Sequence, residues 1–332
     1  MRRRTVLMAS VAAAAANPLA SAALQAQALS GYPDRPIRLI LPFSAGGPTD
    51  TLGRVFAEQL SKGMNARVVV ENRTGAGSTI GADVVAKAPP DGYTLLFNNL
   101  PHSINPSLYR RMPYDTVADF VPVSVLMEGP VVVLVGANSP FRTLKELIDA
   151  ARAKPDGYDY GSAGNGSAAH VSMVQILAKT GARMNHIVYR GVANAMTDLL
   201  SGAIVSVNDT STTALGSIRG GMVRPLAVTS PARVPFLPDL PTVRESGIPE
   251  LADFQMSTWN MLLAPAGTPQ PIVDRLHREV RAAMRDDAFV AKLAELGNVP
   301  MPEADLAGTR AFLVSEMERW RDVMNQAGVR PE

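Results

Sequence analysis

From Ile37 onward, short runs rich in β-branched residues alternate with stretches whose apolar residues recur at helical spacing. That alternation limits the chain more than any single motif does. Strands repeat every two residues and helices every 3.6, so a chain that switches period again and again builds mixed α/β layers rather than an all-helical or all-strand domain. Residues 37–42 read as the first strand, and Leu52, Val55, Phe56 and Leu60 mark one face of a following helix. Residues 67–71, 94–97 and 121–126 are the next strands, with a helix through Val84 and Val85 that Pro89-Pro90 ends. Residues 131–135 open a second series, continued by strands at 158–161, 187–189, 204–208 and 225–229. Thr143-Leu144-Lys145-Glu146 has the spacing of a capping box at a helix start. The proline-rich stretch 231–249 has no clear period and reads as a surface connection, and 257–263 as one more strand. Helices with Ile272, Val273, Leu276 and Val280 on one face, and then Phe312, Met317 and Trp320, are left over at the C-terminus. Two α/β series joined by short crossings imply two lobes with a cleft between them, a preferred place for a small molecule.

The 332 residues and 46% apolar content suffice for real cores, and the absence of cysteine excludes disulfides and thiolate chemistry. Arg2, Arg3 and Arg4 precede an alanine-rich apolar stretch, and Ala26-Gln27-Ala28 offers small residues for a signal peptidase, so residues 1–28 are expected to be an export leader. The stretch is shorter than the roughly 20 residues that span a bilayer. Arg3-Arg4-Thr5-Val6-Leu7 fits a twin-arginine pattern as well as a general export signal. Loss of the leader turns a formal charge of +2 into −1, which leaves no electrostatic footprint for nucleic acid or anionic lipid. A soluble periplasmic protein, monomeric, is the expectation.

Three glycine-rich loops and a few polar positions could carry function. Ser44-Ala45-Gly46-Gly47-Pro48-Thr49-Asp50 joins a strand to a helix, where uncovered amides and the helix dipole can hold an anion; an ordinary tight turn capped by Thr49 or Asp50 is the other reading. Ser162-Ala163-Gly164-Asn165-Gly166-Ser167 repeats the design before the helix that holds His170, which could donate to a bound anion. Gly75-Ala76-Gly77-Ser78-Thr79-Ile80-Gly81 has the spacing GxGxxxG, one residue longer than the dinucleotide fingerprint, and is read as a turn with close helix packing. Arg190 and Asp209 follow strands of the second series and Asn98-Asn99 a strand of the first, where open α/β sheets place ligands. Arg190 could meet a ligand carboxylate or a surface acid, and Asp209 a ligand hydroxyl or amine, or else cap a helix. Ser162 lacks the first glycine of a nucleophile elbow, and His102, His170, His186 and His277 show no metal-ligand spacing. No catalytic set, metal site or cofactor is expected. Two tryptophans weigh against a sugar site built on stacked rings.

The ordered set Tyr32-Pro33-Asp34-Arg35-Pro36-Ile37, Pro42-Phe43-Ser44-Ala45-Gly46-Gly47-Pro48-Thr49-Asp50, Val70-Glu71-Asn72-Arg73-Thr74-Gly75-Ala76-Gly77 and Pro90-Asp91-Gly92-Tyr93-Thr94-Leu95-Leu96 resembles the Bug-type extracytoplasmic solute receptors, the substrate-binding proteins associated with tripartite tricarboxylate transporters. Ile104-Asn105-Pro106-Ser107-Leu108-Tyr109, Tyr160-Gly161-Ser162-Ala163-Gly164-Asn165-Gly166-Ser167, Leu237-Pro238-Asp239-Leu240-Pro241-Thr242-Val243 and Leu263-Ala264-Pro265-Ala266-Gly267-Thr268-Pro269 extend the likeness over essentially the whole mature chain. The resemblance implies an α/β periplasmic binding protein fold of type II-like form, two lobes with a ligand cleft at a doubly crossed hinge. Lobe 1 would comprise 29–128 and 254–332, and lobe 2 residues 129–253. It implies a small carboxylate gripped between the two loops by main-chain amides and ordered water, and a membrane permease as partner. Val207-Asn208-Asp209-Thr210-Ser211 and Asn98-Asn99-Leu100-Pro101-His102 depart from the family's usual stretches, at positions expected to shape the far end of the pocket. An exported oxidoreductase or hydrolase using the glycine loops, and a sensor module that hands its bound form to a signalling receptor, are the competing readings.

Overall fold

The computed structural model describes residues 31–301, 303–326 and 331; the expected leader at 1–28 lies outside them. The first series runs β1 (Ile37–Leu41), α1 (Pro48–Met64), β2 (Val68–Asn72), α2 (Thr79–Ala86), β3 (Thr94–Asn99) and α3 (Pro101–Leu108), and leads into the long β4 (Phe120–Gly136). The second series is α4 (Leu144–Ala153), β5 (Asp159–Ser162), α5 (Ala168–Thr180), β6 (Asn185–Val188), α6 (Val192–Ser201), β7 (Ser206–Thr210), α7 (Ser211–Arg219) and β8 (Val223–Val228). The chain then returns through β9 (Ser257–Pro265), α8 (Gln270–Met284), α9 (Asp287–Glu295), β10 (Val299–Pro300) and α10 (Leu306–Gln326).

Pairing divides these strands into two halves that share β4. In the first half the order is β2-β1-β3-β9-β4, with β1 parallel to both neighbours and β9 antiparallel to β3 and β4. In the second half the end of β4 lies between β8 and β7, and β7 continues in parallel to β5 and then β6. The sequence reading broke this strand in two, at 121–126 and 131–135, on either side of Glu128-Gly129-Pro130. The structure keeps it continuous: proline's fixed φ suits extended backbone, and β9 pairs with β4 as far as Pro130, opposite Ser257. Beside it the chain comes back, with the Met256 amide donating to Thr229 O at 2.9 Å and the Val131 amide to Thr229 Oγ1 at 2.8 Å. Two strands thus cross between the halves side by side, a hinge crossed twice.

One apolar cluster lies in each half, and a third runs across both. In the first, α1 and α8 cover one sheet face, with Phe56 stacked on Phe97 at 5.6 Å, and Ile272, Val273, Leu276 and Val280 buried as their spacing predicts. Burying such a side chain is worth about 1.5–3 kcal/mol. The last helix is no remainder. Trp320 is fully buried, and Glu316 accepts both indole N–H groups, from Trp259 at 2.8 Å and Trp320 at 3.1 Å, which ties α10 to β9. The capping box expected at Thr143 is half made: Thr143 accepts from the Glu146 amide at 3.1 Å, but Glu146 takes the Arg142 amide instead of that of Thr143. A complete box occurs at Thr242–Glu245, inside the stretch read as a plain surface connection. No helix among the described residues is long and apolar enough to cross a membrane.

Candidate functional site

The loop after β1 is built from beneath. Gly46 has φ +80°, a left-handed conformation that glycine adopts without steric cost. Asp50, 4% exposed in the first turn of α1, reaches back so that Gly46 N–H donates to Oδ2 at 2.9 Å. Asn72 donates to Oδ1 at 2.9 Å, and Arg54 Nε to Oδ2 at 2.9 Å. Burial pushes this carboxyl up, but the hydrogen bonds from Arg54, Gly46 and Asn72 and the charge of Arg54 together hold it below the usual carboxylate range. Asp50 therefore shapes the loop and is not among the residues that line the cleft. It also takes one amide, that of Gly46, which the sequence reading had left free for an anion.

The loop after β5 is likewise braced from behind. Ser162 is fully buried; its hydroxyl lies 2.6 Å from His186 Nε2 and accepts from the Gly164 amide at 3.2 Å. The backbone turns through Gly164 at φ +123° and Gly166 at φ +73°. Ser167 caps α5, accepting from the His170 amide at 3.3 Å and donating to Gly164 O at 2.7 Å. His170 accepts the Gly166 amide at Nδ1, 3.2 Å away, and stacks on His186 at 4.2 Å between ring centroids. Burial first, and then neighbouring His186, pushes its imidazole down to about 4, so the ring is neutral at pH 7. The sequence reading offered His170 as a donor to an anion; the structure commits its Nδ1 to the loop. Ser162, Gly164, Gly166 and His170 do not line the cleft, and they hold in place the residues that do.

Those lining residues come from both halves and enclose a cleft of about 930 Å³. Ser44, Ala45, Gly46, Gly47 and Thr49 form one wall, and Asn165, Ser167, Arg190 and Asp209 belong to the other. Asn99 lines it too, donating to Thr49 Oγ1 at 2.8 Å. Asn98, its neighbour in β3, points to the opposite face as strand alternation requires; it is fully buried, with Nδ2 3.1 Å from His102 Nδ1. The halves touch where the loop after β5 meets α3. A methyl group at Gly166 would sit 2.5 Å from Leu108 Cδ1 of α3.

Sequence reasoning missed several parts of this surface, among them the start of α6 with Val192, Asn194 and Thr197, the third glycine loop and strand β9. Residues 74–78 of the third glycine loop line the cleft, while Gly81 carries the expected close packing, its Cβ position only 2.6 Å from Arg73 O. The available signal was position: this loop leaves the C-terminal end of β2 beside that of β1. Thr258 and Asn260 lie on the returning strand β9 and carried no motif. Asn260 faces Asn99 in register across β9 and β3, and the Oδ1 atoms of both are buried without a protein partner. Unpaired buried acceptors are costly, and a ligand or water donor would satisfy them.

Asp209 is 3% exposed and accepts from Thr213 Oγ1 at 2.6 Å. Burial pushes its carboxyl up to about 7 against the opposing hydrogen bonds from Thr213 and the Thr210 amide. No described acid forms an ion pair with Arg190, the one Lys or Arg in the described lining.

The family model for the tripartite tricarboxylate transporter family receptor, TctC, matches residues 52–329. The chain belongs to this family. Its fold agrees with solved relatives over nearly its whole described length. The structure of the periplasmic binding protein BugD is similar with a TM-score of 0.82 at 35% identity, covering 91% of this chain and 100% of that one. Rpa4515 of R. palustris with adipate gives 0.85 at 33% identity, with 91% and 100% covered. MatC of Rhodopseudomonas palustris with bound malate gives 0.79 at 32% identity, with 88% and 99% covered. The resemblance and the two-lobed periplasmic binding protein fold expected from the sequence hold for this TctC-family chain.

Proposed function

We propose that this receptor binds a small organic carboxylate in the cleft, closes its lobes around it, and presents it to a tripartite tricarboxylate-type permease from the periplasm. One observation carries the reading: the small-residue loops at 44–49 and 163–167, from opposite halves of the molecule, line the same cleft. Main-chain amides and hydroxyls there suit an oxyanion, with Arg190 at the wall as the cation. The acids held by two relatives, adipate and malate, are of the same chemical class. The change of pairing along β4 supports lobes of 29–128 with 254–332 and of 129–253, and residues 1–28 would direct export. Closure is driven by whatever the ligand gains in the closed state over the open one.

Binding without turnover, by a monomer, completes the proposal. The Ser162–His186 hydrogen bond resembles an activated nucleophile, but Ser162 is fully buried outside the cleft. Thermal-shift measurement against succinate, malate, adipate, citrate and benzoate tests the reading. The melting temperature should rise with acid concentration following RT ln(1 + [L]/Kd). Stabilisation confined to uncharged sugars, or none by any acid, would reject it.

A further inference from the structure

Asp209 stands out among the groups lining the cleft, because it is the one Asp or Glu in the described lining. We infer that Asp209 binds as the neutral acid and donates its proton in a hydrogen bond to a carboxylate oxygen of the ligand, so that ligand binding takes up a proton. The inference rests on the carboxylate-receptor reading above and names the residue that couples that site to pH.

Geometry supports it first. The carboxyl sits one residue before the end of β7, lines the cleft, and is 3% exposed. Its Oδ1 is occupied by the Thr213 hydroxyl at 2.6 Å. The elements around it supply no counter-charge. Of the flanking strands, β4 carries Val132 opposite it and β5 carries Asp159 and Tyr160; α5 carries His170 and, in its last turn, Lys179 paired with Asp253, α6 carries Asp198 engaged with the Tyr189 hydroxyl, and α7 carries Arg219 at its far end. Arg190 lines the cleft as well. None of these acts on Asp209, whose carboxyl is raised to about 7 by burial against only the Thr213 and Thr210 hydrogen bonds. A ligand carboxylate entering the same cavity adds a like charge, and two anions sharing a buried site cannot both stay ionised. The ligand is the stronger acid and is served by the loop amides, so the proton belongs on Asp209. There it turns a repulsive neighbour into a donor, as buried acids do in other anion-binding sites.

The sign is definite. Ionised Asp209 is the non-binding form, so affinity is highest below its midpoint and falls as pH rises through it. Apparent Kd scales inversely with the competent fraction and should weaken about tenfold per pH unit well above about pH 7. The measurement is calorimetric titration of the receptor with malate, adipate and succinate in two buffers of different ionisation enthalpy, across the range in which these acids are fully ionised. Expected is net uptake approaching one proton on the alkaline side, together with the tenfold slope. Asp209→Asn, which keeps a donor but has no proton to exchange, should show neither slope nor uptake. A flat wild-type Kd without proton uptake overturns the inference and leaves the receptor reading standing. Proton release on binding also overturns it, since Asp209 would then bind in its ionised form. A slope that persists unchanged in Asp209→Asn assigns the linkage to another group. If none of these acids binds, the receptor reading fails and this inference fails with it.

Discussion

Replacing Asp50 with alanine tests whether the first loop is braced from below, as the hydrogen bonds indicate, or offers its carboxylate to the ligand. The change removes the acceptor of three contacts: the Gly46 amide, the Asn72 amide and Arg54 Nε, each at 2.9 Å. Hydrogen bonds to an ionised acceptor are worth about 1.5–3 kcal/mol each, and leaving the donors unpaired adds to the loss. The Arg54 contact is discounted, because that side chain is 52% exposed and half-exposed ion pairs contribute about 0–1 kcal/mol. The contacts share one carboxylate and do not sum, so the expected destabilisation is about 3–5 kcal/mol. Urea unfolding at neutral pH reads it, with Asp50→Asn falling between wild type and alanine. The carboxyl is held below its ordinary range, so its contribution is fully present above the unfolded-state value and is lost as pH falls through the folded one. The gap between wild-type and Asp50→Ala stabilities should therefore narrow in acid, below about pH 4. A loss under about 1 kcal/mol at neutral pH would refute the bracing argument. So would a gap between the two proteins that stays constant into acid.

Three further outcomes follow from the packing. Ser167→Ala removes the cap of α5 and the hydrogen bond to Gly164 O at 2.7 Å, and should cost about 1 kcal/mol by thermal unfolding while weakening carboxylate binding; unchanged stability would argue against the cap. Gly166→Ala places a methyl 2.5 Å from Leu108 Cδ1 at φ +73°, so ligand affinity should drop, and adding Leu108→Ala should recover the steric part but not the backbone part. Glu316→Leu leaves the Trp259 and Trp320 indole N–H groups buried and unpaired, at about 1–3 kcal/mol for each. Because the chain has two tryptophans, their emission reports the change directly, and Glu316→Gln should restore most of the loss.

Much of the site was legible because the chemistry of these loops is local. Paired glycines between a strand and a helix announce a turn with exposed amides wherever they occur, and the loops at 44–50 and 162–167 follow that rule. What could not be read was which side chain of a loop points into the cleft and which holds it from behind. Asp50 and His170 looked like ligand groups, but the Asp50 carboxylate accepts from the Gly46 amide, Arg54 and Asn72, and His170 gives its Nδ1 to the Gly166 amide. Asn98 and Asn99 are adjacent and chemically identical, yet the pleat of β3 sends one into the core and the other to the cleft. Asn260 reaches the same floor only because β9 returns antiparallel beside β3, a pairing between residues far apart in the chain.

The sequence alone determined the alternation of strand and helix, the loops at strand ends and the family to which the chain belongs, since each is set by neighbouring residues and their spacing. The continuity of β4 through Gly129-Pro130 was decided only by tertiary structure, because local propensity reads a breaker where pairing with β9 sustains a strand. The tertiary fold likewise made one cleft of two distant loops and left Asp209 beside it without a counter-charge. Burial and long-range pairing are properties of the assembled chain, and no window of sequence contains them.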